Sequence, residues 1–249
     1  MLQLLLAVDT SGKNGSIALA RVTPGHSDVE IVEVLPLTGG AISAQLVPQI
    51  AALLQTHGYG KNALGAFAVA SGPGSFTGLR VGLAAVKALA EVLQKPIAAI
   101  SLLEAVACSG ATRGRVLAAL DAGRGDVYVG DYELGPQVRM NVRMNVHMHG
   151  ERLLSREEFV AGARGLETMS SETMGSEAKG NVVVTPDAAL AETVRAAGIR
   201  VELIEYPNAG MIARLGWEHL QRGQTASPEE LDANYIRRSD AEIFSKPKA

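Results

Sequence analysis

A single cysteine, Cys108, stands in the chain of 249 residues, which excludes an internal disulfide and suits a reducing compartment. Between Ala107 and Ser109 it reads as a small packed residue rather than a reactive thiol. There is no excess of positive charge either: 23 Lys and Arg face 26 Asp and Glu, for a net charge of −3. A chain that holds nucleic acid unaided needs concentrated Lys and Arg, so that role is excluded. No apolar run reaches membrane-spanning length. Leu2 to Val8 is too short for a signal peptide, has no basic region before it, and ends at Asp9. The expectation is a soluble, cytoplasmic protein. Ser71 to Gly78 lacks the Gly-Lys-Ser/Thr of a P-loop, and Gly58-Tyr59-Gly60-Lys61 reads as a turn after a helix. The five histidines, His26, His57, His147, His149 and His219, form no His-Glu-x-x-His zinc helix. Ser75 has no recognisable His and Asp partners. No catalytic residue, metal or required cofactor is therefore expected.

What is present is concentrated in residues 70 to 94. Gly72, Pro73, Gly74, Ser75, Phe76, Thr77, Gly78 and Arg80 form a sharply bent loop feeding a helix. The glycines supply unusual backbone angles, Pro73 stiffens the bend, and Thr77 is placed to cap the helix. An anion could bind at the free amides of Thr77 and Gly78. The helix, Gly78 to Gln94, carries Leu79, Leu83, Val86, Ala90 and Leu93 on one face. A second stripe of Gly78, Gly82, Ala85 and Leu89 begins with small residues that would admit another helix closely. Such a helix is buried on more than one side.

The rest of the chain reads as α/β. Leu2 to Val8, Ser16 to Val22 and Val29 to Leu37 are strands in an antiparallel start. Ala44 to His57 is a helix without a charged residue, with Leu46, Ile50 and Leu53 on one face, Val47 and Leu54 adjoining, and Pro48 bending its first turn. Ala66 to Ala70 and Ile97 to Ile100 are strands, and Leu102 to Ser109 starts a helix. The plan then begins again: strand Val116 to Leu120, the turn Asp121 to Gly125, and strand Val127 to Tyr132. That recurrence predicts an internal duplication, with lobes at 1–103 and 104–249 and a helix, 210–222, that carries Trp217 and could return to the first lobe. Residues 138 to 149 hold a tandem tetrapeptide, Val-Arg-Met-Asn twice and then Val-His-Met-His, whose period-two alternation reads as a solvent-facing edge strand in preference to a soft-metal site. Residues 167 to 180 read as a mobile loop. Asn181 to Val184 and Val201 to Ile204 are strands flanking a helix at Asp187 to Ala197.

Asp9, Thr10 and Ser11 end a buried strand, and Asp121 and Gly123 lie in the second turn. Two such loops could close on a nucleotide, or simply end strands and brace turns. The two helices offer the other signal, one without charge and one with only Arg80, Lys87 and Glu91. If they pack side by side with apolar surface to spare, a partner's helices would cover it; the alternative is that the sheet behind and the second lobe cover everything. Leu46, Ile50, Leu53, Leu54, Leu79, Gly82, Leu83, Val86 and Leu89 are the expected interface. On that reading Leu53→Glu or Leu83→Glu abolishes partner binding and leaves a folded monomer.

Ala-Val-Asp-Thr-Ser at 7 to 11, Ser71 to Arg80, and Leu-Asp-Ala-Gly-Arg-Gly-Asp-Val-Tyr at 120 to 128 resemble the bacterial TsaB (YeaZ) family. Asn234-Tyr235-Ile236-Arg237 is similar to the family's closing segment. Ile42-Ser43 departs from its His-Ser or His-Thr. The resemblance implies an actin-like, sugar-kinase or Hsp70-type fold of two related lobes. It further implies a non-catalytic subunit that supports a TsaD-like paralogue in making N6-threonylcarbamoyladenosine at tRNA position 37. A TsaE-like ATPase is the implied further partner, and tRNA is met only through the complex. Residual nucleotide binding and self-association as a homodimer stay open. The alternative is an ATP-dependent small-molecule kinase of the same superfamily.

Overall fold

The N-terminal apolar run becomes β1 (Gln3–Asp9), which pairs antiparallel with β2 (Gly15–Val22), itself antiparallel to β3 (Val29–Leu37). The computed structural model describes residues 3–37, 42–135, 146–173, 182–234 and 236, with side chains of 165–173 left aside. After β3 the chain forms α1 (Ile42–Thr56), then β4 (Leu64–Gly72), α2 (Phe76–Leu93) and β5 (Ile97–Ser101). Both β4 and β5 join in parallel, giving a five-stranded sheet of order β3-β2-β1-β4-β5. Parallel neighbours need a crossover, and α1 and α2 supply them.

α3 (Leu102–Ser109) carries the chain into β6 (Gly114–Gly123), β7 (Asp126–Leu134), β8 (Val146–Ser155), α4 (Arg156–Thr173), β9 (Val182–Thr185), α5 (Ala188–Ala196) and β10 (Val201–Leu203). The second sheet has the order β10-β9-β6-β7-β8. With β6 set against β1, this is the first sheet's order read from the other edge. The duplication predicted from two Asp-Gly turns therefore extends to the whole strand order, and the molecule has an actin-like α/β fold of two related lobes.

Three apolar clusters bind five layers. α1 and α2 cover the outer face of the first sheet, and α4 and α5 the outer face of the second. Between the sheets lie α3 and α6 (Ala209–Gln221). α6 lies across β1, β2, β4 and β5 of the first lobe. A Cβ on Gly216 would come within 2.3 Å of the Ala68 side chain, so only glycine lets this helix sit so low on the sheet. Trp217 is buried there and donates its indole N–H to the His26 carbonyl at 2.8 Å. The chain then runs back along the first lobe, where Ala226 donates to the Ile97 carbonyl and Leu231 joins the outer cluster.

Several boundaries differ from the expected ones for identifiable reasons. α1 starts at Ile42, so Pro48 lies inside it, exposed, instead of bending its first turn. α2 starts at Phe76, with Ser75 as its N-cap in place of Thr77. α4 reaches Thr173, so a helix occupies the first part of the segment expected to be a loop. Residues 174–180, most of the repeat (138–145) and the basic tail beyond Ile236 lie outside the described residues. The end of the repeat, Val146 to His149, does belong to the edge strand β8.

Candidate functional site: the signature loop and the paired helices

The site is built where the end of β1 meets the start of α2. Asp9, Thr10 and Ser11 are all buried. Asp9 Oδ1 accepts from the Ser11 amide at 2.9 Å and the Ser11 hydroxyl at 2.6 Å. Thr10 donates its hydroxyl to the Gly78 carbonyl at 2.7 Å, and the Ser75 amide donates to the Ser11 carbonyl at 2.7 Å. Burial lifts the Asp9 carboxyl above its usual range, against the pull of the two Ser11 hydrogen bonds.

Glycines make this seam possible by their missing side chains rather than by unusual angles. A Cβ at Gly74 would stand 2.6 Å from the Ser11 carbonyl, at Gly78 2.1 Å from the Thr10 carbonyl, and at Gly82 2.3 Å from the Thr10 hydroxyl. Of the loop's three glycines only Gly72 has a positive φ. Asp9 to Ser11 joins the signature loop, and Asp121 to Gly125 forms the hairpin turn between β6 and β7. Arg124 and Gly125 both take positive φ between β6 and β7, as a two-residue turn of this hand requires. There Asp121 lies 3.6 Å from Arg156, and the Arg156 amide donates to the Gly125 carbonyl. Of the two amides at which an anion could bind, that of Gly78 donates to Ser75 Oγ at 3.2 Å, as in a structural turn.

The expected interface residues point the wrong way. Leu46, Ile50, Leu53, Leu54, Leu79, Leu83 and Val86 are buried in the outer core of the first lobe. Gly82 faces Thr10, and Leu89 is half-buried against the same core. The reason is bulk. Both sides of α1 and α2 are apolar, and the larger Leu and Ile side chains fill the space over the sheet. Facing solvent instead are Ala44, Val47, Pro48, Ala51 and Ala52 of α1, with Ala84, Ala88 and Val92 of α2. Val47 is 56% and Val92 71% exposed. Phe76 and Arg80, also exposed, stack with the guanidinium 3.8 Å from the ring centre at the start of α2. The two helices pack against each other, so their outer sides form one surface, and α1 contributes no charge to it.

Sequence reasoning missed the outward alanines and valines. Side-chain size was the available signal, since helical spacing alone distinguishes two apolar faces poorly. Cys108 is buried as expected, and burial followed by the nearby Glu104 charge pushes its thiol well up. Among the described residues, no three His, Cys, Asp or Glu side chains gather as a metal site, and no helix is long and apolar enough to cross a membrane.

A family model described as "TsaD: tRNA N6-adenosine threonylcarbamoyltransferase" matches residues 37–243. A Bacillus subtilis protein named tRNA threonylcarbamoyladenosine biosynthesis protein TsaB is 37% identical over 130 residues, 52% of this chain and 55% of its own. The Escherichia coli protein of that name is 33% identical over 134 residues, 52% of this chain and 54% of its own. The chain spans about half the length of the curated relatives it matches. A solved structure titled YeaZ from Pseudomonas aeruginosa superposes with a TM-score of 0.68 at 24% identity, covering 94% of this chain and 99% of that one. The match of the family model across both lobes places the chain in the family which that model describes.

Proposed function

We propose that this protein is a non-catalytic subunit in the biosynthesis of N6-threonylcarbamoyladenosine in tRNA, and that it seats a TsaD-like catalytic paralogue on the outer faces of α1 and α2. The observation that carries the reading is that surface of small apolar side chains, to which α1 adds no charge. Alanine and valine faces let a second helix pair approach closely, and small residues keep the ordering cost low because they have few rotamers to lose. A related partner with the same two helices would complete a four-helix seam, and ~800 Å² per partner is a usual size for a stable complex.

The non-catalytic half of the reading is supported by how the first phosphate-type loop is used. The Thr10 and Ser11 hydroxyls are committed to Gly78 and Asp9, and α2 occupies the space beside them. In a kinase of this fold the same hydroxyls would be needed by a nucleotide. The names of the relatives support the pathway, and the TsaE-like ATPase and tRNA enter through the assembled complex.

The test is titration of a purified TsaD-family paralogue against the intact chain and against Ala51→Glu and Ala84→Glu. Wild type binds; each variant loses affinity at least about 100-fold, the cost of burying an unpaired carboxylate in a tight seam. Both variants keep the parent circular-dichroism spectrum, because both sites are exposed. Equal affinity in all three, or binding of a second copy of this chain alone, would remove the proposal.

A further inference from the structure

Glu151 lies on β8, next to Gly150, whose φ of 155° marks an irregularity in the pairing with β7. It pairs with Gly130, and a Cβ there would meet the Tyr132 ring at 2.5 Å, so the glycine leaves the room through which that ring passes. The Glu151 carboxylate collects three donors from three parts of the chain. Oε1 accepts from the Tyr132 hydroxyl and the Ser101 hydroxyl, and Oε2 accepts from Asn234 Nδ2 at 2.6 Å. Ser101 is the residue at which the first lobe hands over to the second: it closes β5, and its hydroxyl caps α3 through the Leu103 amide. Asn234 belongs to the returning segment. Its amide donates to the Ser71 carbonyl at 2.7 Å, and its own carbonyl would stand 3.0 Å from a Cβ on Gly72.

We infer that Glu151 is a positioning residue that ties the second lobe to the segment holding Ser71 and Gly72, and so fixes the entrance to α2. A carboxylate is the right group because it only accepts, and all three of its neighbours can donate. An inward-pointing charge on an edge strand also discourages pairing with other chains. That purpose alone would not require donors from the lobe junction and from the returning segment. The chain of contacts runs from β8 through Asn234 to the two residues that precede Pro73. It therefore couples the relative placement of the lobes to the signature loop. The inference concerns the isolated chain and stands or falls without any partner.

Amide hydrogen exchange on the full chain tests it. Asn234→Asp sets a carboxylate against the Glu151 carboxylate. Amides between residues 71 and 79 then exchange on the order of tenfold faster, the expected loss for a charge-assisted hydrogen bond, while those of α1 are unchanged. Adding Glu151→Gln to that variant supplies an amide donor to the new carboxylate and restores the parent rates. Asn234→Ala, which removes the donor without adding charge, gives the same local acceleration if Asn234→Asp folds poorly. Loop exchange indifferent to both Asn234 variants, or acceleration that persists in the double variant, overturns the assignment.

Discussion

At the residue scale, the signature loop is an account of absent Cβ atoms. The sequence shows that glycines are required there, and the structure shows that Gly74, Gly78 and Gly82 are required for close approach to residues 10 and 11. A single chain of letters cannot separate that reason from the need for a positive φ, because glycine answers both. Gly78→Ala forces a methyl to within 2.1 Å of the Thr10 carbonyl, and this predicts a loss of about 3 kcal/mol in urea unfolding, at the upper end for an overpacked site. The same alanine at Gly58, where nothing lies within 4 Å but φ is +73°, costs only about 1 kcal/mol. Asp9 carries a pH signature. Its folded pKa is raised by burial from the ordinary 3.8, so the folded state holds the proton more tightly than the unfolded state. The stability this gives is complete below the ordinary value and is lost as pH rises through the raised one. Relative to Asp9→Asn, wild type should therefore lose ground in urea midpoint as pH increases from about 4 to 7. A flat difference between the two would place the charge of Asp9 in an unburied state.

At the element scale, the helices were legible and their orientation was not. α1 and α2 appear within a few residues of their expected bounds, since both are periodic apolar segments, α1 without charge and α2 with only Arg80, Lys87 and Glu91. Which face turned inward depended on packing against β1, β2 and β4, and that is a property of the assembled sheet. The consequence reverses an expectation from sequence. Leu53 is 2% and Leu83 5% exposed, so Leu53→Glu or Leu83→Glu buries a carboxylate without a partner and costs about 4 kcal/mol or more. Both variants should therefore lose cooperative thermal unfolding, whereas Ala51→Glu and Ala84→Glu keep a transition within a few degrees of the parent. Calorimetry distinguishes the two pairs directly. A folded Leu53→Glu chain would mean that the inner face of α1 is open.

At the scale of the whole molecule, the two-lobed plan was readable because strand, Asp-Gly turn and strand occur twice, at 4 to 19 and at 116 to 132. The matching strand orders of the two sheets extend that hint to ten strands. The return of the helix at 210–222 to the first lobe stood in the sequence only as one possibility. α6 carries an apolar face that would suit either lobe, and only its fit over Ala68 and Ala98 through Gly216 assigns it to the first. Glu151 was invisible for a similar reason: one carboxylate in a polar stretch gains meaning only when Ser101, Tyr132 and Asn234 converge on it. The lobes are thus joined by a shared apolar layer and by a polar clasp, and the small-residue face of α1 and α2 is left on the outside.

Amide exchange of the intact chain with and without a purified TsaD-family paralogue puts that outer face to the most direct test. The account predicts slowed exchange confined to residues 42–56 and 76–93, with the second sheet unaffected. Slowing that spares both helices and falls on the second lobe would contradict it.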